Sequence, residues 1–147
     1  MPQVAGAVLA FEDEFSRQAF HSMIQRSGID KIRICSSCHD AAVTVNQSAR
    51  KWNLLILDSR IPRAFETVRM LRRRIGPHIK ILMVFSGPTQ ELISEAIGAG
   101  VDDIMIYPVS QATLEKKLSR LVEIQQNKIS LFRRVDAHSA DIFTARP

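Results

Sequence analysis

Residues 53–62 read NLLILDSRIP, and this stretch indicates the kind of fold. The four apolar residues 54–57 belong in a core, yet they lead directly into the carboxylate of Asp58. A charged group beside a core is costly unless a partner or a cation offsets its desolvation. A continuous apolar run of this kind favours a strand that is covered on both faces of a parallel sheet. Asp58 therefore marks a candidate site at the carboxyl end of that strand.

Strand-like and helix-like segments alternate along the rest of the chain. Short apolar runs predict five strands, at 5–11, 31–35, 54–58, 80–85 and 103–107. Helical spacing predicts a helix after each strand: from Phe15 to Gly28, at 38–52, 65–76 and 89–100, and from Ser110 onward. Right-handed crossovers then favour a doubly wound α/β fold, the flavodoxin-like (βα)5 sheet with strand order 2-1-3-4-5 and helices on both faces.

The spacing also predicts which helix faces are buried. In the first helix these residues are Phe15, Ala19, Phe20, Met23 and Ile24, and in the fourth they are Leu92, Ile93, Ala96 and Ile97.

Composition and charge limit the classes of function. The chain has 147 residues, 46% of them hydrophobic and 24% charged, which is typical of one globular domain. No apolar run approaches the roughly 20 residues of a membrane helix, and the N-terminus lacks a signal-peptide pattern, so we expect a cytoplasmic protein. The net charge is +5, but aromatic residues make up 6% and do not interleave with the basic ones. This favours a solvated basic face over a nucleic-acid-binding surface.

Carboxylates follow two strands that are predicted to be neighbours. Glu12 and Asp13 follow the first strand, and Asp58 ends the third. Because carboxyl ends of parallel strands meet at one edge of a sheet, the three side chains are expected to converge. Carboxylates crowded together repel one another, and Mg²⁺, which prefers oxygen ligands, would remove that penalty. The alternative is that these residues only cap the helices that follow, with Asp13 as an N-cap.

Three motifs resemble those of response-regulator receiver domains of two-component signalling. They are LAFEDE at 9–14, LLILDSRIP at 54–62 and AIGAGVDDIMIYP at 96–108. The resemblance covers 4–125 and leaves 126–147 as a C-terminal helix extension or tail without a recognisable effector domain. It implies a phosphoacceptor signalling domain rather than an enzyme, with autophosphatase activity at most.

The resemblance also implies the residues of the site. Asp58 would accept a phosphoryl group from a histidine kinase or a histidine phosphotransfer protein. Mg²⁺ would be held by Glu12, Asp13, Asp58 and the main-chain carbonyl of Arg60.

The other half of the family's site departs from the pattern. Tyr107 stands where the family has a lysine, and Ile104 where it has an aromatic switch residue. The family's Ser or Thr that ends strand four falls on Phe85 without gaps and on Ser86 with one deletion, and we favour Ser86. Two functions stay open. The favoured one is a stand-alone receiver in a phosphorelay, and the alternative is a pseudo-receiver that acts as a phosphorylation-independent interaction module.

Two further features have competing interpretations. CSSCH at 35–39 matches a haem-attachment pattern, and it could also form a redox disulfide or supply three zinc ligands. Because there is no signal-peptide pattern and no second cysteine pair, two small residues at a strand-to-helix turn are the favoured interpretation. Receivers commonly pair through helix four, strand five and helix five. Charge pairs between subunits would then use residues of this face: Asp102, Asp103, Lys116, Lys117 and Arg120. The spacing of Leu118, Val122, Gln125, Ile129 and Phe132 permits an extended last helix as a second candidate dimer contact. Because Gln125 interrupts this apolar seam, a last helix that frays into a mobile tail is the favoured interpretation.

Overall fold

The computed structural model describes residues 4–48 and 50–121. Its strands are β1 (Ala7–Ala10), β2 (Ile32–Cys35), β3 (Leu54–Asp58), β4 (Lys80–Phe85) and β5 (Asp103–Ile106). Its helices are α1 (Glu14–Arg26), α2 (Cys38–Gln47), α3 (Ala64–Arg74) and α4 (Gln90–Ala99), followed by α5, which occupies 111–121 of the described residues. A 3-10 turn, Gly76–His78, lies between α3 and β4.

All five strands are parallel and lie in the order β2-β1-β3-β4-β5, so the predicted flavodoxin-like sheet is confirmed. β3 is its central strand, with Leu57 aligned between Ala10 of β1 and Met83 of β4. This register brings the carboxyl ends of β1 and β3 together. The site predicted at the end of β3 therefore lies in the middle of one edge of the sheet.

Every residue of β3 is buried, because helices cover both faces of the sheet. Leu55 and Leu57 belong to a core cluster with residues of α2 and α3. Leu54 and Ile56 belong to a second cluster with residues of α1 and α5. Alternate residues of one strand enter two different cores, which explains why the run is continuously apolar.

The predicted second helix is too long by five residues. α2 ends at Gln47, and Ser48 is extended. The chain must then enter the sheet, where the Asn53 and Leu54 amides donate to the Gly6 carbonyl. Trp52 therefore packs over Gly6 at the amino end of β3, on the edge opposite Asp58.

Three apolar residues predicted to face the core are exposed instead. Phe15 is 82% exposed, Ile97 60% and Leu92 39%. Phe15 lies in the first turn of α1, before the helix reaches the buried stretch that contains Phe20 and Ile24. α4 buries only its alanines, Ala96 and Ala99, which join the core cluster that contains Val68 and Leu71 of α3.

The C-terminal extension predicted at 126–147, and most of the predicted seam of the last helix, lie outside the described residues. Among the residues that are described, no helix has the length and the apolar character that crossing a membrane requires.

Candidate functional site

Asp58 is the buried centre of the site. Its side chain has no exposed surface, although it stands at the end of β3. Its Oδ2 accepts the main-chain N–H of Glu12 at 3.1 Å, and its Oδ1 accepts that of Arg60 at 3.0 Å. The loop after β1 and the loop after β3 therefore both orient one carboxylate. This is the convergence that the parallel register predicts.

Asp13 also reaches the site, and it caps α1 as well. Its Oδ2 accepts the main-chain N–H of Ser16 at 2.8 Å, and its Oδ1 accepts the Ser16 hydroxyl at 2.9 Å. These hydrogen bonds, with a smaller effect of the Arg60 guanidinium, lower the pKa of Asp13. The capping role predicted as an alternative is thus present, together with a position beside Asp58. Glu12 brings its main chain into the site while its side chain is exposed.

The side chain of Arg60 holds both carboxylates. Its Nε donates to Oδ1 of Asp58 at 3.1 Å, and one terminal nitrogen donates to Oδ2 at 2.9 Å. The same nitrogen donates to Oδ1 of Asp13 at 3.2 Å. The hydrogen bonds that it donates to Asp58 raise the pKa of the guanidinium above its already high value, so it is charged. A fork on a carboxylate is the geometry in which arginine binds most strongly.

Sequence reasoning assigned Arg60 only a main-chain role and missed its side chain. The signal was present, because a cation two residues after a buried acid shares its turn and can fold back onto it.

Tyr107, at the family's lysine position, turns into the site. Its ring lies 5.3 Å from Cζ of Arg60, at cation–π distance. The Tyr107 ring also forms a T-shaped contact with the ring of Phe20, with centroids 6.1 Å apart. Burial raises the pKa of the Tyr107 phenol, so it is neutral near pH 7. The residue contributes a ring to the site and no charge.

The two candidates for the family's hydroxyl position lie in different surroundings. Phe85 is the last residue of β4 and is 2% exposed, with its ring 6.4 Å from that of Phe65. Ser86 follows directly and is exposed. Of the two residues, Ser86 alone has a hydroxyl, and that side chain lies at the solvent side of the strand end.

The donor set fits Mg²⁺ by type, since carboxylate and carbonyl oxygens are its preferred ligands. In this structure, however, the Arg60 guanidinium is bonded to both oxygens of Asp58 and to one of Asp13. Throughout 4–48 and 50–121, no three or more His, Cys, Asp or Glu residues are arranged to hold a metal ion. A divalent cation would therefore need the guanidinium to leave these oxygens.

Comparison with known families agrees with this geometry. The family model of the response regulator receiver domain matches residues 8–119. The chain belongs to the response regulator receiver domain family. Receiver domains are the signalling domains of two-component systems. A search of curated proteins finds no match to this receiver.

Solved structures resemble this receiver in fold at low sequence identity. A putative pilus assembly-related protein from Burkholderia pseudomallei is 17% identical, with a TM-score of 0.70 over 80% of this chain and 89% of that one. A receiver domain protein from Clostridium thermocellum is 13% identical, with a TM-score of 0.75 over 84% and 98%. The chemotaxis protein CheY4 of Vibrio cholerae is 21% identical, with a TM-score of 0.71 over 80% and 98%.

The cysteines of CSSCH are core residues of this receiver. Cys35 ends β2 and Cys38 begins α2, and they are 1% and 5% exposed. Both are free, and burial raises the pKa of each thiol. Neutral, buried thiols are poor nucleophiles and poor ligands, which favours the packing role over haem attachment or redox chemistry.

The acids predicted to pair across a dimer are paired within the chain. Asp102 accepts from Arg72, and Asp103 accepts from Lys117 at 3.0 Å. Arg120 approaches Asp103 at 3.9 Å. These two carboxylates link α3 and α5 to the start of β5, so charge pairing between subunits would have to compete with these contacts.

Proposed function

We propose that Asp58 accepts a phosphoryl group from the phosphohistidine of a histidine kinase or a histidine phosphotransfer protein, in a two-component or phosphorelay pathway. An Asp58 oxygen would bond to phosphorus as the phosphorus–nitrogen bond breaks, and the imidazole nitrogen would keep the electron pair. The observation that carries the proposal is the buried Asp58 carboxylate, which two main-chain N–H groups from different loops orient at the carboxyl end of the central strand.

Mg²⁺ belongs to this proposal as the cofactor of the transfer. Asp13, Asp58 and the main-chain carbonyl of Arg60 would hold it, with Glu12 at the rim. When bound, it would screen the phosphoryl oxygens from the acceptor carboxylate. The chain itself positions the acceptor through the N–H groups of Glu12 and Arg60.

Intact mass after incubation with acetyl phosphate and Mg²⁺ tests the acceptor. We expect wild type to gain one phosphoryl group and Asp58→Asn to gain none, since the amide is not a nucleophile. Asp40→Asn, which changes a half-buried acid of α2 that is paired with Arg33, should label like wild type. Trp52 fluorescence is unsuitable as a readout, because Trp52 precedes β3 and lies about 20 Å from Asp58 at the far end of that strand.

Labelling of Asp58→Asn to the wild-type extent would put the acceptor elsewhere. If neither protein is labelled by acetyl phosphate or by phosphorylated histidine proteins, phosphoacceptance at Asp58 is wrong.

A phosphorylation-independent interaction module is the second candidate function. One observation favours it: Arg60 forms ion pairs with both Asp58 and Asp13 in place of a metal, while Tyr107 brings no charge. Such a module needs a binding surface. α4 and the edge strand β5 expose Leu92, Ile97 and Ile106, the last at 48%. We assign a homodimer contact to this α4–β5–α5 face.

The sedimentation coefficient tests the homodimer. Wild type at high micromolar concentration should sediment as a dimer, and Ile106→Glu should weaken association by about tenfold or more, because a charge would be buried in the contact. Phe15→Glu changes an apolar residue that is more exposed, in the first turn of α1, and should leave association unchanged. Equal effects of the two substitutions, or a wild-type monomer, would remove this assignment.

A further inference from the structure

The geometry points to the Arg60 side chain as a resident counter-ion of the site, which occupies the carboxylates in place of a divalent cation and excludes it until the guanidinium withdraws. This inference deepens the proposed function, since it concerns the cation of the same site. It assigns the Arg60 side chain a positioning and competing role, distinct from that of its main-chain carbonyl.

Charge balance is the first step of the argument. The carboxylate of Asp58 is fully buried, so a positive charge must offset its desolvation. A second carboxylate, that of Asp13, lies beside it. The only side-chain cation that the described residues bring into hydrogen bonds with both acids is that of Arg60. With this guanidinium in place, Asp58 is compensated by the chain itself. The metal-free site is then a stable state rather than one held apart by repulsion.

Competition for the same atoms is the second step. Nε and a terminal nitrogen of Arg60 lie at 3.1 Å and 2.9 Å from the two oxygens of Asp58. Oδ1 of Asp13 accepts a hydrogen bond from the same terminal nitrogen, and Oδ2 of Asp13 caps α1. A cation bound to these oxygens and a guanidinium bonded to them cannot be present together. Binding of one therefore requires displacement of the other.

Tyr107 is the third step, because it explains why the arginine folds back. The guanidinium lies over the ring of Tyr107, and the ring of Phe20 packs against that ring in a T-shaped arrangement. Contact between a cation and an aromatic ring stabilises the folded-back rotamer by a modest amount. The Arg60 side chain is nevertheless 45% exposed, so it has open space into which it can withdraw.

Mg²⁺ binding, measured by calorimetry, tests the inference without any phosphodonor. Arg60→Ala should bind Mg²⁺ about tenfold more tightly than wild type, because the competitor is gone and two carboxylates are left uncompensated. Arg60→Gln should also raise Mg²⁺ affinity. It keeps most of the aliphatic part of the side chain and serves as the test if the alanine variant folds poorly. Tyr107→Leu should raise Mg²⁺ affinity by only about twofold, because it removes the cation–π contact with the guanidinium but leaves the guanidinium itself.

Arg17→Ala is the matched control. Arg17 lies on α1 beside the same loop, but its guanidinium bonds the main-chain carbonyls of Phe11 and Glu12 and not Asp58. Its loss removes the same unit of charge but frees no oxygen of Asp58 or Asp13. Mg²⁺ affinity should therefore stay within about twofold of that of wild type. An equal gain in Arg17→Ala would mean that net charge alone sets the affinity, and the inference would be wrong.

The inference and the proposed function can fail separately. If wild type is labelled on Asp58 while Arg60→Ala and Arg60→Gln bind Mg²⁺ no more tightly, the counter-ion role is wrong and phosphoacceptance stands. If both variants bind Mg²⁺ more tightly but no protein is labelled, the counter-ion role stands and phosphoacceptance is wrong. In wild type, the Nε–H resonance of Arg60 should be protected and shifted without metal, and Mg²⁺ should abolish this signature. A resonance with exchange like that of a free arginine would overturn the inference.

Discussion

Arg72→Ala is expected to lower the free energy of unfolding by about 3 kcal/mol. The Arg72 guanidinium donates from Nε to the Gly100 carbonyl at 2.7 Å, and from one terminal nitrogen to the carbonyls of Gly76 and Ile79 at 2.8 Å and 2.7 Å. Its other terminal nitrogen pairs with Asp102. One side chain thus joins the end of α3 to the turns before β4 and β5.

The loss is large because the partners remain behind. The side chains of Arg72 and Asp102 are each only 18% exposed, and Asp102 also accepts the Ile81 amide at 2.8 Å. Without the guanidinium, an acid and several carbonyls lose their compensation in poorly solvated positions.

Urea denaturation of Arg72→Ala and Arg69→Ala provides the comparison on a single helix. Arg69 pairs with Glu95 in solvent, with side chains 42% and 48% exposed, so its loss should cost less than about 1 kcal/mol. Similar losses in the two variants would show that the Arg72 network adds no more than a surface ion pair.

Gly100→Ala is expected to destabilise the domain by about 2 to 3 kcal/mol, whereas Gly98→Ala stabilises it by about 0.5 to 1 kcal/mol. Gly100 caps α4 with a φ of 119°, and a Cβ there would lie 2.6 Å from Cγ of Arg72. Gly98 lies inside α4, and a Cβ there would meet nothing within 4 Å. Its substitution mainly removes conformational freedom from the unfolded chain.

Thermal and urea unfolding of the two glycine variants should give changes in stability of opposite sign at positions 98 and 100. In an Arg72→Ala background, Gly100→Ala should cost less, because the side chain it collides with is gone, and this non-additivity identifies the clash. Changes of the same sign at positions 98 and 100, or strict additivity with Arg72→Ala, would contradict the account.

Sequence periodicity predicted the strands well because each strand satisfies two cores at once. Leu54–Asp58 is buried along its whole length, and the run LLILD shows this directly. The predicted meeting of Asp13 and Asp58 depended only on strand order and direction, and crossover handedness restricts both. Helix faces were less certain: Phe15, Leu92 and Ile97 have the right spacing, but whether a helix is covered depends on its place over the sheet.

Local sequence by itself determined the alternation of strands and helices, because periodicity is a property of short segments. This alternation, with right-handed crossovers, then implied the parallel sheet and the position of the acids at the carboxyl ends of its strands. Tertiary structure alone decided where the charges go. Arg60 folds onto Asp58 and Asp13, and Tyr107 turns inward beneath it, since these contacts join three loops that are distant in the chain. A side chain's direction depends on the neighbours that desolvate it and neutralise it, and only the assembled sheet provides them.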